Sequence, residues 1–122
     1  LNESGFTSAV NKKLPSEIYV WKVSDRFSAG VPDCYYSSAK KDMWIEYKYY
    51  PKGLPKNVTP NLSELQKRWL NARYDEGRTV FVVVGSPTDC LIYEDKEWMG
   101  PKPRGQAISR KELIGWITKE IT

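Results

Sequence analysis

Two carboxylates and an ammonium group stand at a spacing that could hydrolyse an ester without histidine. Asp33 closes the run Gly30, Val31, Pro32, Asp33, and Glu46, Tyr47 and Lys48 follow after twelve intervening residues. On a strand, Glu46 and Lys48 share one face, because strand side chains alternate. A hairpin joining residues 33–37 to residues 43–50 can bring Asp33 beside Glu46. Two close carboxylates repel, and one pKa rises unless a cation intervenes. Mg2+ meets that need, since it prefers oxygen ligands and keeps several waters; Mn2+ is expected to substitute. The Tyr47 carbonyl, between the two side chains, adds another oxygen. A cation held there would acidify a bound water and polarise a phosphodiester oxygen. Lys48 would orient or deprotonate that water, or stabilise charge on phosphorus.

The chain has 122 residues and no histidine. Ser-His-Asp and Cys-His hydrolases are therefore excluded in their usual form. Two cysteines, Cys34 and Cys90, are too few for a four-thiolate zinc site. They are expected as reduced, buried thiols of an intracellular protein rather than as a disulfide. The length fits one domain spanning residues 1–122. No apolar run approaches the roughly 20 residues of a membrane span. The first residues carry no basic-then-apolar leader, so no secretory signal is expected; with a nucleic-acid target, an intracellular, cytoplasmic location is the expectation. An initiator Met is absent, which suggests a trimmed or replaced start. Net charge is +4 with pI about 9.0, which favours a polyanionic partner.

The elements that must position the acids follow from periodicity. Phe6, Val10 and Leu14 form one helical stripe over residues 3–14, ended by Pro15. Residues 17–23, 33–37 and 43–50 predict three antiparallel strands, with Gly30 and Pro32 shaping the turn before the second. A Pro-rich loop precedes a helix capped by Asn61 or Ser63, with Leu62, Leu65, Trp69 and Ala72 as its apolar stripe, ending near Gly77. Residues 79–84 predict a strand buried on both faces, reached by a parallel crossover. Residues 90–93 predict an edge strand, and residues 94–105 a loop, basic towards its end, with Lys102 and Arg104 as an arm or flap. Ser109 and Glu112 form a capping box for a last helix. The architecture expected is a central mixed sheet flanked by helices.

The motif Pro32-Asp33…Glu46-Tyr47-Lys48 resembles that of the PD-(D/E)XK nuclease superfamily. The expected element order is similar to its restriction-endonuclease-like α-β-β-β-α-β core, here with an extra C-terminal strand and helix. The lead-in Arg26-Phe-Ser-Ala-Gly-Val-Pro-Asp33, and Gln66 on the following helix, look like the archaeal junction-resolvase and virus-type replication-repair branches. The resemblance implies a Mg2+-dependent DNA endonuclease, structure-selective for branched DNA, in a phage or in DNA repair or recombination. It implies that Asp33 and Glu46 hold metal, Lys48 positions the nucleophile, and Gln66 bonds a phosphate or the attacking water. A helical acid often completes such sites; Glu3 is the candidate by position, with Glu17 as rival. A symmetric junction offers two strands to cut, which makes a homodimer an open possibility.

Several basic and polar residues are candidate DNA contacts: Arg26 and Ser28 near the Gly30 turn, Lys40 and Lys41 at a hairpin tip, Lys52 and Lys56 in the Pro-rich loop, and Lys67 and Arg68 beside Gln66. Tyr47 and Tyr49 face away from Glu46 and Lys48, so core packing is expected rather than base stacking. Trp21, Trp44, Trp69 and Trp116 are expected in the core, and Trp98 at the surface. The rival functions are a non-catalytic DNA-binding module on the same fold, an RNA-processing endonuclease, and a small interaction domain.

Overall fold

The computed structural model describes residues 2–23 and 29–122. Helix α1 (Glu3–Lys12) starts at Asn2, whose side chain accepts from the Gly5 N–H at 2.7 Å. It stops short of the predicted span, yet Leu14 still packs on the core. Strands β1 (Tyr19–Lys22), β2 (Cys34–Ser37) and β3 (Asp42–Tyr49) form an antiparallel meander, as expected. A short strand β4 (Asn57–Val58) leads to helix α2 (Glu64–Asp75), capped by Ser63 rather than Asn61. Strand β5 (Val80–Gly85) lies parallel to β3, so the predicted crossover is present. Strand β6 (Cys90–Tyr93) returns antiparallel, giving the sheet order β1-β2-β3-β5-β6. Strand β7 (Lys102–Pro103) pairs with β4, and helix α3 (Arg110–Ile121) closes the chain on the predicted capping box.

The period-two alternation divides β3 between two cores. Met43, Ile45 and Tyr47 face α1 and α3, where Phe6, Val10, Leu113, Ile117 and Ile121 pack. Trp44 faces the other core, with Leu70, Val82, Val84, Leu91 and Trp98. Every residue of β5 is buried, as its continuous apolar run requires. A buried polar chain ties α1 to the sheet: the Tyr36 hydroxyl donates to Asn11 Oδ1 at 2.7 Å and meets the Tyr47 hydroxyl at 2.6 Å. Cys34 and Cys90 are buried, unbridged thiols; burial pushes Cys90 up to about 12. Among the described residues no helix is long and apolar enough to cross a membrane.

Four expectations are corrected. Trp98 is fully buried; a 3-10 turn at Glu97–Met99 folds it inward, and its Nε1 donates to Asn71 Oδ1 at 2.9 Å. Trp21 is 48% exposed, because β1 is an outer strand and α2 lies over the other half of the sheet. The α2 stripe fails at two places: Leu65 is 48% exposed and Ala72 is exposed, and Leu62, just before α2, takes the buried place. The segment expected as a basic flap is clamped. Lys102 Nζ bonds Ile92 O and Glu97 Oε1, each at 2.8 Å, and the Arg104 guanidinium donates to Leu54 O at 3.2 Å.

Candidate active site

The site forms where two paired strands part. The β2–β3 ladder ends at Cys34 opposite Ile45, whereas β3 runs on to Tyr49. The next β2-facing N–H, that of Tyr47, donates instead to Asp33 Oδ2 at 3.0 Å. This bond fixes the Asp33 carboxylate against β3. The N–H and C=O of one strand residue point to the same side, so the Tyr47 carbonyl opens on the same gap.

The turn before Asp33 is held from behind. Gly30 has φ +91°, and a Cβ there would lie 2.5 Å from Leu65 O, in the first turn of α2. Glycine alone allows both that dihedral and that approach. The contact seats the first turn of α2, with Gln66, over β3.

Glu46 is 2% exposed. Its Oε2 accepts from Gln66 Nε2 at 3.0 Å and lies 3.4 Å from Lys48 Nζ. Its Oε1 is buried with no hydrogen-bond partner among the described residues. Burial, then the charge of Asp33, push its pKa up to about 8, against the pull of Lys48. Glu3, at the start of α1, reaches the same cluster. Burial, the Asp33 charge and a hydrogen bond to Asp33 push it up to about 7, while Lys48 and Lys22 oppose the rise. Three carboxyl groups thus crowd Lys48 and Lys22, and burial with mutual repulsion holds Glu46 and Glu3 towards their protonated forms. An open cleft of about 310 Å³ beside it is lined by Glu3, Lys48, Tyr49, Tyr50 and Asn61.

Oxygen donors suited to a hard cation are therefore present: Asp33, the orphaned Glu46 Oε1, and the Tyr47 carbonyl. Among the described residues no three His, Cys, Asp or Glu side chains stand so as to hold a metal ion between them. Mg2+ needs no such trio, since it is held by one or two carboxylates and keeps waters. The donor set fits such an ion.

Asp33, Glu46, Lys48, Gln66 and Glu3 come together; other candidates do not. Glu17 is exposed and lines a separate cleft with Ser38, Lys40 and Thr122, so Glu3 alone of the two rivals stands by the acids. Lys40 and Lys41 lie before β3, roughly 17–20 Å along the strand from Glu46, and Lys41 pairs with Glu120 at 3.5 Å. Lys52 is exposed just beyond the Lys48 end of β3, and Lys56 is exposed further along the loop. Lys67 pairs with Glu64 at 3.3 Å, and Arg68 is exposed on α2. Arg26 and Ser28 lie outside the described residues. Lys22 was not foreseen at the site: it donates to Ser4 Oγ at 2.7 Å and acts on Glu3. Its pairing opposite Cys34, next to Asp33, would have signalled it had the β1–β2 register been known.

No family model matches the chain, and no curated protein matches it in sequence. In structure it is similar to Hjc of Archaeoglobus fulgidus, a Holliday junction resolvase from an archaeal hyperthermophile. The TM-score is 0.55 over 93% of this chain and 96% of that one, at 15% identity, and the likeness is one of fold: a central mixed sheet flanked by helices.

Proposed function

We propose that the protein is a divalent-metal-dependent DNA endonuclease with a preference for branched DNA. The observation that carries this is the buried Glu46 carboxylate, one oxygen set by Gln66 and Lys48 and the other unpartnered, beside Asp33 and Glu3. Without metal, Glu46 escapes the cost of a buried charge by keeping its proton; a divalent cation in the gap would displace that proton and take the free oxygen. Asp33, Glu46 and the Tyr47 carbonyl would hold Mg2+ or Mn2+, with Glu3 beside Asp33. When bound, the ion supplies Lewis-acid polarisation of a phosphodiester and a more acidic water. The chain's own residues do the rest. Lys48 Nζ orients the water and meets the charge that develops on the phosphoryl oxygens. Gln66 and Lys48 together hold Glu46 Oε2, which fixes the rotamer and leaves Oε1 for the ion. Lys52, exposed just beyond the Lys48 end of β3, takes a backbone phosphate.

The fold likeness to a junction resolvase supports branched DNA as the substrate class, and paired cuts across a symmetric junction would need two copies of this site. A panel of linear duplex, single strand, flap and four-way junction, with Mg2+ or with EDTA, tests the proposal. Cleavage is expected only with metal, highest on the junction, and lost in Asp33→Asn and Glu46→Gln while DNA binding persists or strengthens. Tight binding with no cleavage under Mg2+ or Mn2+ would make the protein a binding module instead.

A further inference from the structure

An aromatic face continues from the acids along the same side of the sheet. Trp21, Tyr35 and Trp44 stand in register across β1, β2 and β3, one side-chain repeat from Glu46, and Trp69 of α2 closes the row. Ring centroids are 6.5 Å apart for Trp21 and Tyr35, 4.9 Å for Tyr35 and Trp44, and 5.2 Å for Trp44 and Trp69. Trp21 is 48% exposed and Tyr19, beside it, 62%. Apolar area of this size on an outer strand goes uncovered by anything else in the described chain.

The face opens into a cleft of about 420 Å³ lined by Tyr35, Asp42, Trp44, Trp69, Arg73 and Arg78. Its charges are arranged for a particular kind of guest. The Arg73 guanidinium lies 5.8 Å over the Trp69 ring and pairs through Nη2 with Glu76 Oε2 at 3.2 Å, while its Nε is buried with no acceptor among the described residues. Arg78 is exposed at the rim. The Asp42 carboxylate accepts from the Ser37 hydroxyl at 2.6 Å, which holds it facing the row. Aromatic faces stack bases, guanidinium groups meet phosphates, and a fixed carboxylate accepts from a base amino group. A paired, stacked base shows none of its faces, so the guest that uses all three features is an unpaired nucleotide. Trp44 and Asp42 stand roughly 7 and 13 Å from Glu46 along β3, so the cleft lies within a few nucleotides of the acids.

We infer that this cleft and the aromatic face beside it seat unpaired DNA nucleotides flanking the scissile phosphate, with bases on Trp21 of the face and on Tyr35 and Trp44 of the cleft, and phosphates towards Arg73 and Arg78. The inference rests on the nuclease reading for its placement relative to the cut. It gives the preference for branched DNA a physical source: the enzyme selects strands whose bases are free beside the site.

The test compares a short labelled duplex with the same duplex interrupted by a single-stranded gap, both in EDTA so that binding is read without cleavage. The protein should bind the gapped DNA about tenfold more tightly. Trp21→Ala and Arg78→Gln, both at exposed positions, should each reduce that preference several-fold and leave duplex affinity unchanged. Equal affinity of the parent protein for the two DNAs overturns the inference, as does a preference that survives the double substitution. So does a concentration-dependent dimer that Trp21→Ala cannot form, which would assign the face to a second copy. A gap preference without Mg2+-dependent cleavage would sink the nuclease reading alone; cleavage without a gap preference would sink only this one.

Discussion

One amide, that of Gln66, closes a helix and aims a carboxylate. Its Oε1 accepts from the Ser63 N–H at 2.9 Å, completing the capping box of α2, and its Nε2 donates to Glu46 Oε2 at 3.0 Å. The two partners fix which end is which, since an N–H must meet oxygen and a carboxylate must meet N–H. Helix start and site geometry are therefore one hydrogen-bonded unit.

Substitution separates the two roles. Gln66→Glu retains a capping-box acceptor but replaces the donor facing Glu46 with a second carboxylate. Cleavage is expected to fall at least tenfold, the scale of a lost hydrogen bond to a charged group, with helix content by circular dichroism unchanged. Gln66→Ala should lose activity and also about 1 kcal/mol of stability in urea unfolding. Parent-level cleavage by Gln66→Glu would show that the amide serves the cap alone.

The crowded acids make a pH prediction. Glu46 and Glu3 bind protons more tightly folded than unfolded, since burial and Asp33 raise them from 4.5 to about 8 and about 7. Their contribution to metal-free stability is therefore fullest below pH 4.5 and is lost as pH rises through about 8. A divalent ion favours the ionised forms, so its stabilising effect should grow over the same window. Thermal melts with EDTA and with Mg2+ from pH 5 to pH 8 check this. Curves that stay parallel across the range would mean that these acids do not bind the ion.

Gly30 and Gly53 form a matched pair of positive-φ positions. A Cβ at Gly30 meets Leu65 O at 2.5 Å, whereas one at Gly53 meets nothing within 4 Å. Gly53→Ala should cost about 1 kcal/mol, the dihedral alone. Gly30→Ala should cost about 2–3 kcal/mol, because the turn must also move away from α2, and cleavage should fall with it. Equal losses in the two variants would mean that the packing of this turn on α2 does not matter.

The exchanged fates of two tryptophans show what local pattern leaves open. Alternation placed Glu46 and Lys48 on one face, and capping residues placed α2 and α3, because those signals lie within a few neighbouring residues. Which half of the sheet α2 covers is a lateral choice that no short window encodes. It left Trp21 exposed on β1 and drew Trp98 beneath Asn71 and Tyr74. Glu3 over Glu17, and the unexpected Lys22, were settled the same way, by which end of the sheet each residue reaches. Trp98→Ala should cost about 3–5 kcal/mol, and Trp21→Ala about 1 kcal/mol, in denaturant unfolding. Comparable losses would contradict the burial assigned to them.

The central claim is that Asp33 and Glu46 jointly hold one divalent ion, and calorimetric titration of Mn2+ into the protein reads it directly. The parent protein should bind a single ion with release of protons, and Glu46→Gln should weaken that binding at least tenfold while remaining folded. Identical binding heats in the parent and in Glu46→Gln, or no binding in either, would contradict the account.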